Sequence, residues 1–151
     1  MTEARLTLRA ARADDLDLIL TLLRDDVLGA TRESDGRALY EHAFAEILAD
    51  PNADMLLAAL GDQIIGCAQV NRLANLSLQS TKRANIEGVR IASNHRGCGY
   101  GERFLQMIEG HCRDHGCGLM QLTTNKARDE ALRFYSSQGF EDSHIGLKKR
   151  L

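Results

Sequence analysis

Proline is almost missing from this chain of 151 residues, which has one proline against thirteen glycines. Tryptophan is absent and aromatic residues make up only 5%. These scarcities exclude a proline-rich linker, a collagen-like repeat and an aromatic-rich stacking surface. Neither charge sign dominates: nineteen Lys and Arg stand against twenty-one Asp and Glu, a formal net charge of -2. A dedicated nucleic-acid binder would carry a basic excess, so that class loses its electrostatic footprint. No apolar run approaches the roughly 18 residues that a membrane span needs. The start, Met1 to Ala13, alternates charge with Leu rather than building a signal-peptide core, so the cytoplasm is the expected compartment. Cys67, Cys98, Cys112 and Cys117 are irregularly spaced and read as reduced thiols. What remains is 44% hydrophobic. A chain of this size hides roughly 70% of its unfolded surface, enough for one domain over residues 1–151 without metal or disulfide staples.

Leu6 to Arg9 alternates like a strand, and Asp14 or Asp15 is placed to cap a helix whose Leu16, Ile19, Leu20 and Leu23 share one face. A polar stretch from Asp25 to Gly36 precedes a second helix marked by Tyr40, Phe44, Ile47 and Leu48. That helix must end near Asp50-Pro51, because proline disfavours helical geometry in the residue before it. Met55 to Leu60 and Gln63 to Val70 read as hairpin strands around Gly61-Asp62. Asn71 to Lys82 is loop or strand end. Ala84 to Ala92 reads as a strand, Glu102 to Gly116 as a helix, Leu119 to Thr124 as a strand and Asp129 to Gln138 as a helix stopped by Gly139. Phe140 to Leu151 is expected to add one or two terminal strands. The order β–α–α–β–β–β–α–β–α–β predicts a mixed α/β fold, a central sheet flanked by helices.

Arg96-Gly97-Cys98-Gly99-Tyr100-Gly101 lies between a strand and a helix, where backbone amides and a helix N-terminus converge on an anion. Two phosphate motifs are excluded directly. The dinucleotide fingerprint G-x-G-x-x-G fails because Glu102 stands where its third glycine belongs, and a P-loop would end in Gly-Lys-Ser/Thr.

The pattern Arg96-x-x-Gly99-x-Gly101 after a strand resembles the central motif of the GNAT superfamily of acetyl-CoA-dependent N-acetyltransferases. Leu8-Arg9-Ala10 with Asp15-Leu16 resembles the family's opening strand and helix, and Ile65-Gly66 its central hairpin. Downstream, Ala131-Leu132-Arg133-Phe134-Tyr135-Ser136-Ser137-Gln138-Gly139-Phe140 is similar to the A-x-x-F-Y-x-x-x-G-F signature. The likeness spans nearly the whole chain. It implies a split between two parallel strands, Ala84 to Ala92 and Leu119 to Thr124, that receives the pantetheine of acetyl-CoA. Val89, Arg90 and Ile91 would line that edge, while Arg96, Gly97, Cys98, Gly99, Tyr100 and Gly101 would hold the pyrophosphate. Arg96 either adds charge there or fixes the loop's shape.

Acetyl transfer from a thioester to an amine needs a neutral amine, a stabilised oxyanion and a proton for the departing thiolate. The resemblance makes Tyr135 the proton donor to the CoA sulfur, and a phenol with a reference pKa near 10 is protonated at neutral pH. Packing beside Phe134 is its alternative role. Glu87, within Ile86-Glu87-Gly88-Val89, is the candidate general base, with a structural ion pair as the alternative. The amide of Val89 or Ile91 is placed to polarise the thioester carbonyl. Many family members carry an asparagine where this chain has Arg128, with Asn125 slightly earlier. Either would contact CoA, and capping of the last helix by Asn125 or Asp129 competes with that reading.

His111 and His115 are four apart on one helical face, but no second Cys/His pair completes a closed zinc site, so no metal is expected. A noncatalytic acetyl-CoA-binding or regulatory module of the same fold is the competing class. The expected partners are a small-molecule or peptide amine and a second copy of the chain, with no nucleic acid and no membrane. Asp25, Asp26, Glu33 and Asp35 are candidates to attract a cationic acceptor.

Overall fold

The computed structural model describes residues 4–26 and 36–151. Its elements in chain order are β1 (Leu6–Ala10), α1 (Leu16–Arg24), α2 (Arg37–Ala49), β2 (Ala53–Leu60), β3 (Gln63–Leu73), β4 (Arg83–Ile91), α3 (Tyr100–Asp114), β5 (Leu119–Gln121) and α4 (Asp129–Ser137). The strands form one sheet in the order β1-β2-β3-β4-β5. Neighbours run antiparallel from β1 to β4, and β5 lies parallel to β4. The mixed sheet flanked by helices is therefore the architecture expected from the sequence.

Each face of the sheet has its own core. On one, Phe104, Ile108 and Cys112 of α3 close over Leu56, Ala68, Val70, Ala84 and Ile86. On the other, Leu16, Ile19, Leu20 and Leu22 of α1 join Phe44 of α2 against Leu57 and Cys67. The period of apolar residues in α1 and α3 thus decides which helix covers which face. Asp15 does not cap α1 with its side chain. Its buried carboxylate accepts two hydrogen bonds of 2.8 Å from the Arg9 guanidinium and one of 2.7 Å from the Arg12 amide. The Arg9 hydrogen bonds hold its pKa below the usual carboxylate range. The corresponding stability is present at neutral pH and is lost as pH falls below the unfolded value through the lowered folded one.

Two irregularities shape β4. The β3–β4 pairing steps from Cys67↔Arg90 to Gln69↔Glu87, so β4 carries one extra residue, a bulge. Gly88 takes a left-handed φ of +60° there, and α1 packs over it through Leu23. Gly66 allows the second irregularity, a close approach: a Cβ at that position would lie 2.8 Å from the Arg90 carbonyl oxygen and 2.8 Å from Ile91 Cδ1. Gly66→Ala is therefore expected to cost about 1–3 kcal/mol, the usual range for overpacking, read as a lower urea midpoint. An unchanged midpoint would show that β3 and β4 separate freely at this point.

The parallel pairing of β4 with β5 covers only Arg83↔Leu119, Ala84↔Met120 and Asn85↔Gln121. Beyond it β4 continues to Ile91 while still bonded to β3. From Ile86 to Ile91 the edge of β4 that faces β5 is open, which is the split between parallel strands. The expected terminal strands are not formed. Phe140 folds back, its amide donating to the Tyr135 carbonyl at 3.1 Å, and residues 141–151 are exposed without strand pairing. A strand needs a neighbouring edge, and within one copy this segment is bonded to none.

Candidate active site

The glycine loop closes the open end of β4. Gly97 and Gly99 adopt φ values of +75° and +78°, and Gly99 is the N-cap of α3. These left-handed backbones, disfavoured for residues with a Cβ, are why glycine stands at both positions. The first helical bond of α3 runs from the Arg103 amide to the Gly99 carbonyl at 3.2 Å. Among the described residues, no backbone carbonyl accepts from the amides of residues 97–102. They form an anion cradle on the positive end of a helix. Gly101 differs from its neighbours, because a Cβ there would touch Phe134 of α4 at 3.5 Å. Its bareness serves the packing of α4 against α3.

Arg96 shapes the loop. Its Nε donates to the Ile91 carbonyl at 2.9 Å and its guanidinium also reaches the Asp25 carbonyl. Asp25 in turn accepts from the Ser93 amide at 2.8 Å, and that bond leads the lowering of its pKa. Cys98 is exposed, whereas Cys67 and Cys112 are buried, with thiols pushed up by burial to about 12 and about 11. Iodoacetamide is therefore expected to modify Cys98 first, because the thiolate is the nucleophile. A mass spectrum after brief exposure checks this, and early labelling of Cys67 would contradict it.

Tyr135 sits on α4 between the rings of Phe134 and Phe140, with centroids 5.2 and 5.7 Å away. Burial raises its pKa above 10.0, only partly opposed by Arg128 and Arg90 nearby. The phenol therefore keeps its proton at neutral pH. Arg90 is buried, and its guanidinium lies 3.6 Å from Asp26, whose other oxygen is 3.1 Å from Arg128. One carboxylate thus ties the end of β4 to the start of α4, bringing together residues 102 apart in sequence. Glu87 lies exposed, accepting from Asn85 Nδ2 at 3.1 Å. Among the described residues no cation pairs with it.

The sequence candidates divide clearly. Val89 and Ile91 lie on the open stretch of β4, Arg96 to Gly101 build the cradle, and Tyr135 is held close by. Arg128 turns to Asp26, and Asn125 accepts from the Ala127 amide at 2.9 Å, forming the turn before α4. Asp25 and Asp26, read as free acids for attracting a cationic acceptor, are instead engaged with Arg96, Arg90, Arg128 and the Ser93 amide. Glu33 and Asp35 lie outside the described residues. His111 donates to or accepts from Asp54 at 2.9 Å, beside Arg72, and no group of three or more metal-binding side chains occurs among the described residues. The linking role of Asp26 was not visible in the sequence, since no local signal joins it to Arg128.

An open parallel split ending in a glycine cradle is the arrangement on which the comparisons bear. The profile of the acetyltransferase (GNAT) family matches residues 19–140, from α1 past the end of α4. The chain belongs to that family. Aminoalkylphosphonate N-acetyltransferase of Salmonella typhimurium is 28% identical over 144 residues, covering 95% of this chain and 90% of that protein. A crystal structure of a transcriptional regulator from Bacillus halodurans superposes with a TM-score of 0.91 at 41% identity, covering 97% of this chain and all of that one. Glucosamine-6-phosphate N-acetyltransferase of Arabidopsis thaliana, at 18% identity, 97% and 98% coverage and a TM-score of 0.76, shares the fold. The chain is thus a GNAT acyltransferase. No helix among its described residues is long and apolar enough to cross a membrane.

Proposed function

We propose that this GNAT protein is a cytoplasmic single-domain enzyme that transfers an acetyl group from acetyl-CoA to a primary amine by direct attack. The observation that carries the reading is the protonated Tyr135 phenol, held beside the open edge of β4 and the glycine cradle. The cradle amides of residues 97–102 suit a pyrophosphate, and the open edge from Ile86 to Ile91 suits the amide-bearing pantetheine. Tyr135 donates its proton to the departing sulfur as the C–S bond breaks and the new C–N bond forms. Glu87, a carboxylate without an ion-pair partner among the described residues, takes the proton that the amine loses, directly or through water. An amide of Val89 or Ile91 steadies the negative oxygen of the thioester carbonyl.

Thiol release from acetyl-CoA across a panel of amines tests this. The panel holds polyamines, aminoglycosides, a lysine peptide and aminoalkylphosphonates, the last being the class in the name of the Salmonella relative. Amine-dependent thiol release is expected for at least one class. Tight acetyl-CoA binding with no release for any amine would leave the noncatalytic module as the reading.

A further inference from the structure

The C-terminal segment is the one part of the described chain that the fold leaves unused. Residues 141–151 are exposed throughout, and the family match stops before them at residue 140. Yet their sequence is that of a strand: Ile145, Leu147 and Leu151 fall on alternate positions. Ile145 is 82% exposed and Leu147 90%, an arrangement that a lone copy has no reason to maintain. The same copy leaves a sheet edge unused. β5 ends the sheet, half-buried, with no strand on its outer side, and such an edge pairs readily with another strand. Gly146 passes the end of β5, where a Cβ would lie 3.3 Å from Thr123 Cγ2. The segment therefore reaches the edge and leaves it again.

We propose that residues 141–151 form an exchanged arm, each copy of the chain laying its arm across the β5 edge of a second copy in a two-fold homodimer. One chain supplies both the open edge and the unpaired strand, so two copies satisfy both reciprocally, as an isologous interface requires. Charge complementarity fixes the partner as a second arm. Glu141 and Asp142 precede the crossing at Ile145-Gly146, and Lys148, Lys149 and Arg150 follow it. Two arms running antiparallel through a two-fold axis at that crossing set the acids of one beside the bases of the other. An extended arm cannot fold its own charges together in this way.

Sedimentation or light scattering of the full chain at micromolar concentration reads the outcome. The wild type is expected at twice the chain mass. Two charge variants probe the arm without touching the core, since every substituted side chain is exposed. One carries Glu141→Lys with Asp142→Lys, the other Lys149→Glu with Arg150→Glu. Each alone is expected to be monomeric, with dimer dissociation weakened at least tenfold in affinity, and an equimolar mixture of the two is expected to recover the dimer. Ile145→Lys with Leu147→Lys is expected to give a folded monomer by circular dichroism. A monomeric wild type overturns the proposal, as do charge variants that stay dimeric alone or a mixture that stays monomeric.

Discussion

Tyr135→Phe is expected to lower kcat for amine-dependent thiol release by about 10²- to 10⁴-fold, the usual contribution of a positioned general acid. The affinity for acetyl-CoA should stay close to that of the wild type. The reason lies in what the substitution keeps. The ring that packs against Phe134 and Phe140 remains, so α4 holds its place beside Gly101 and the cradle is undisturbed. Only the proton is lost. The pH dependence carries the same assignment further. Burial raises the Tyr135 pKa above 10.0, so the protonated donor persists through neutral and mildly alkaline pH and declines only above its raised value. An alkaline limb set by Tyr135 should disappear in the phenylalanine variant. Retained kcat would remove Tyr135 from the chemistry.

Asp26→Ala should give the largest loss of stability among single substitutions around the site. Its carboxylate lies between Arg128 and the buried Arg90. Removing one partner of a buried ion pair typically costs about 3–5 kcal/mol, because the charge left behind is no longer compensated. In a domain of this size each kcal/mol lowers Tm by about 2–4 °C, so a drop on the order of 10 °C is expected in a thermal melt. Asp26→Asn keeps hydrogen-bonding atoms and should fall between alanine and the wild type. A loss below about 1 kcal/mol would place Asp26 among ordinary surface ion pairs, and the tie between β4 and α4 would then rest on packing alone.

Much of the fold was legible because it is written in local periodicity. The apolar spacing of α1 and α3, the Gly61-Asp62 turn and the glycines after α3 and α4 all stand as the sequence indicated, with Gly61, Gly116 and Gly139 at positive φ. The glycine cradle was legible for the same reason, since Gly97 and Gly99 declare a backbone need. The readings that changed depend on what meets what across space. Asp15 looked like a helix cap, but Arg9 reaches it from β1. Asp26 looked like a solvent-facing acid, but two arginines from distant segments converge on it. The terminal segment has the alternation of a strand, but pairing requires an edge that periodicity does not supply. β5 stops at Gln121, short of Thr124, because its parallel partner diverges after Asn85.

The bulge at Gly88 gives β4 a change of parity. In a regular strand, odd and even residues belong permanently to opposite sides. In β4 the even-numbered Ala84 and Ile86 face the α3 core, and beyond the bulge the odd-numbered Val89 and Ile91 take over that duty. The exchange puts Glu87 and Arg90 on one side, each opposite a β3 residue of the same face, Gln69 and Cys67. Losing a single residue from this stretch would therefore do more than shorten a strand. It would turn Arg90 into the apolar core and an aliphatic side chain out toward Asp26, so the spacing between these residues is under tighter constraint than the identity of most of them.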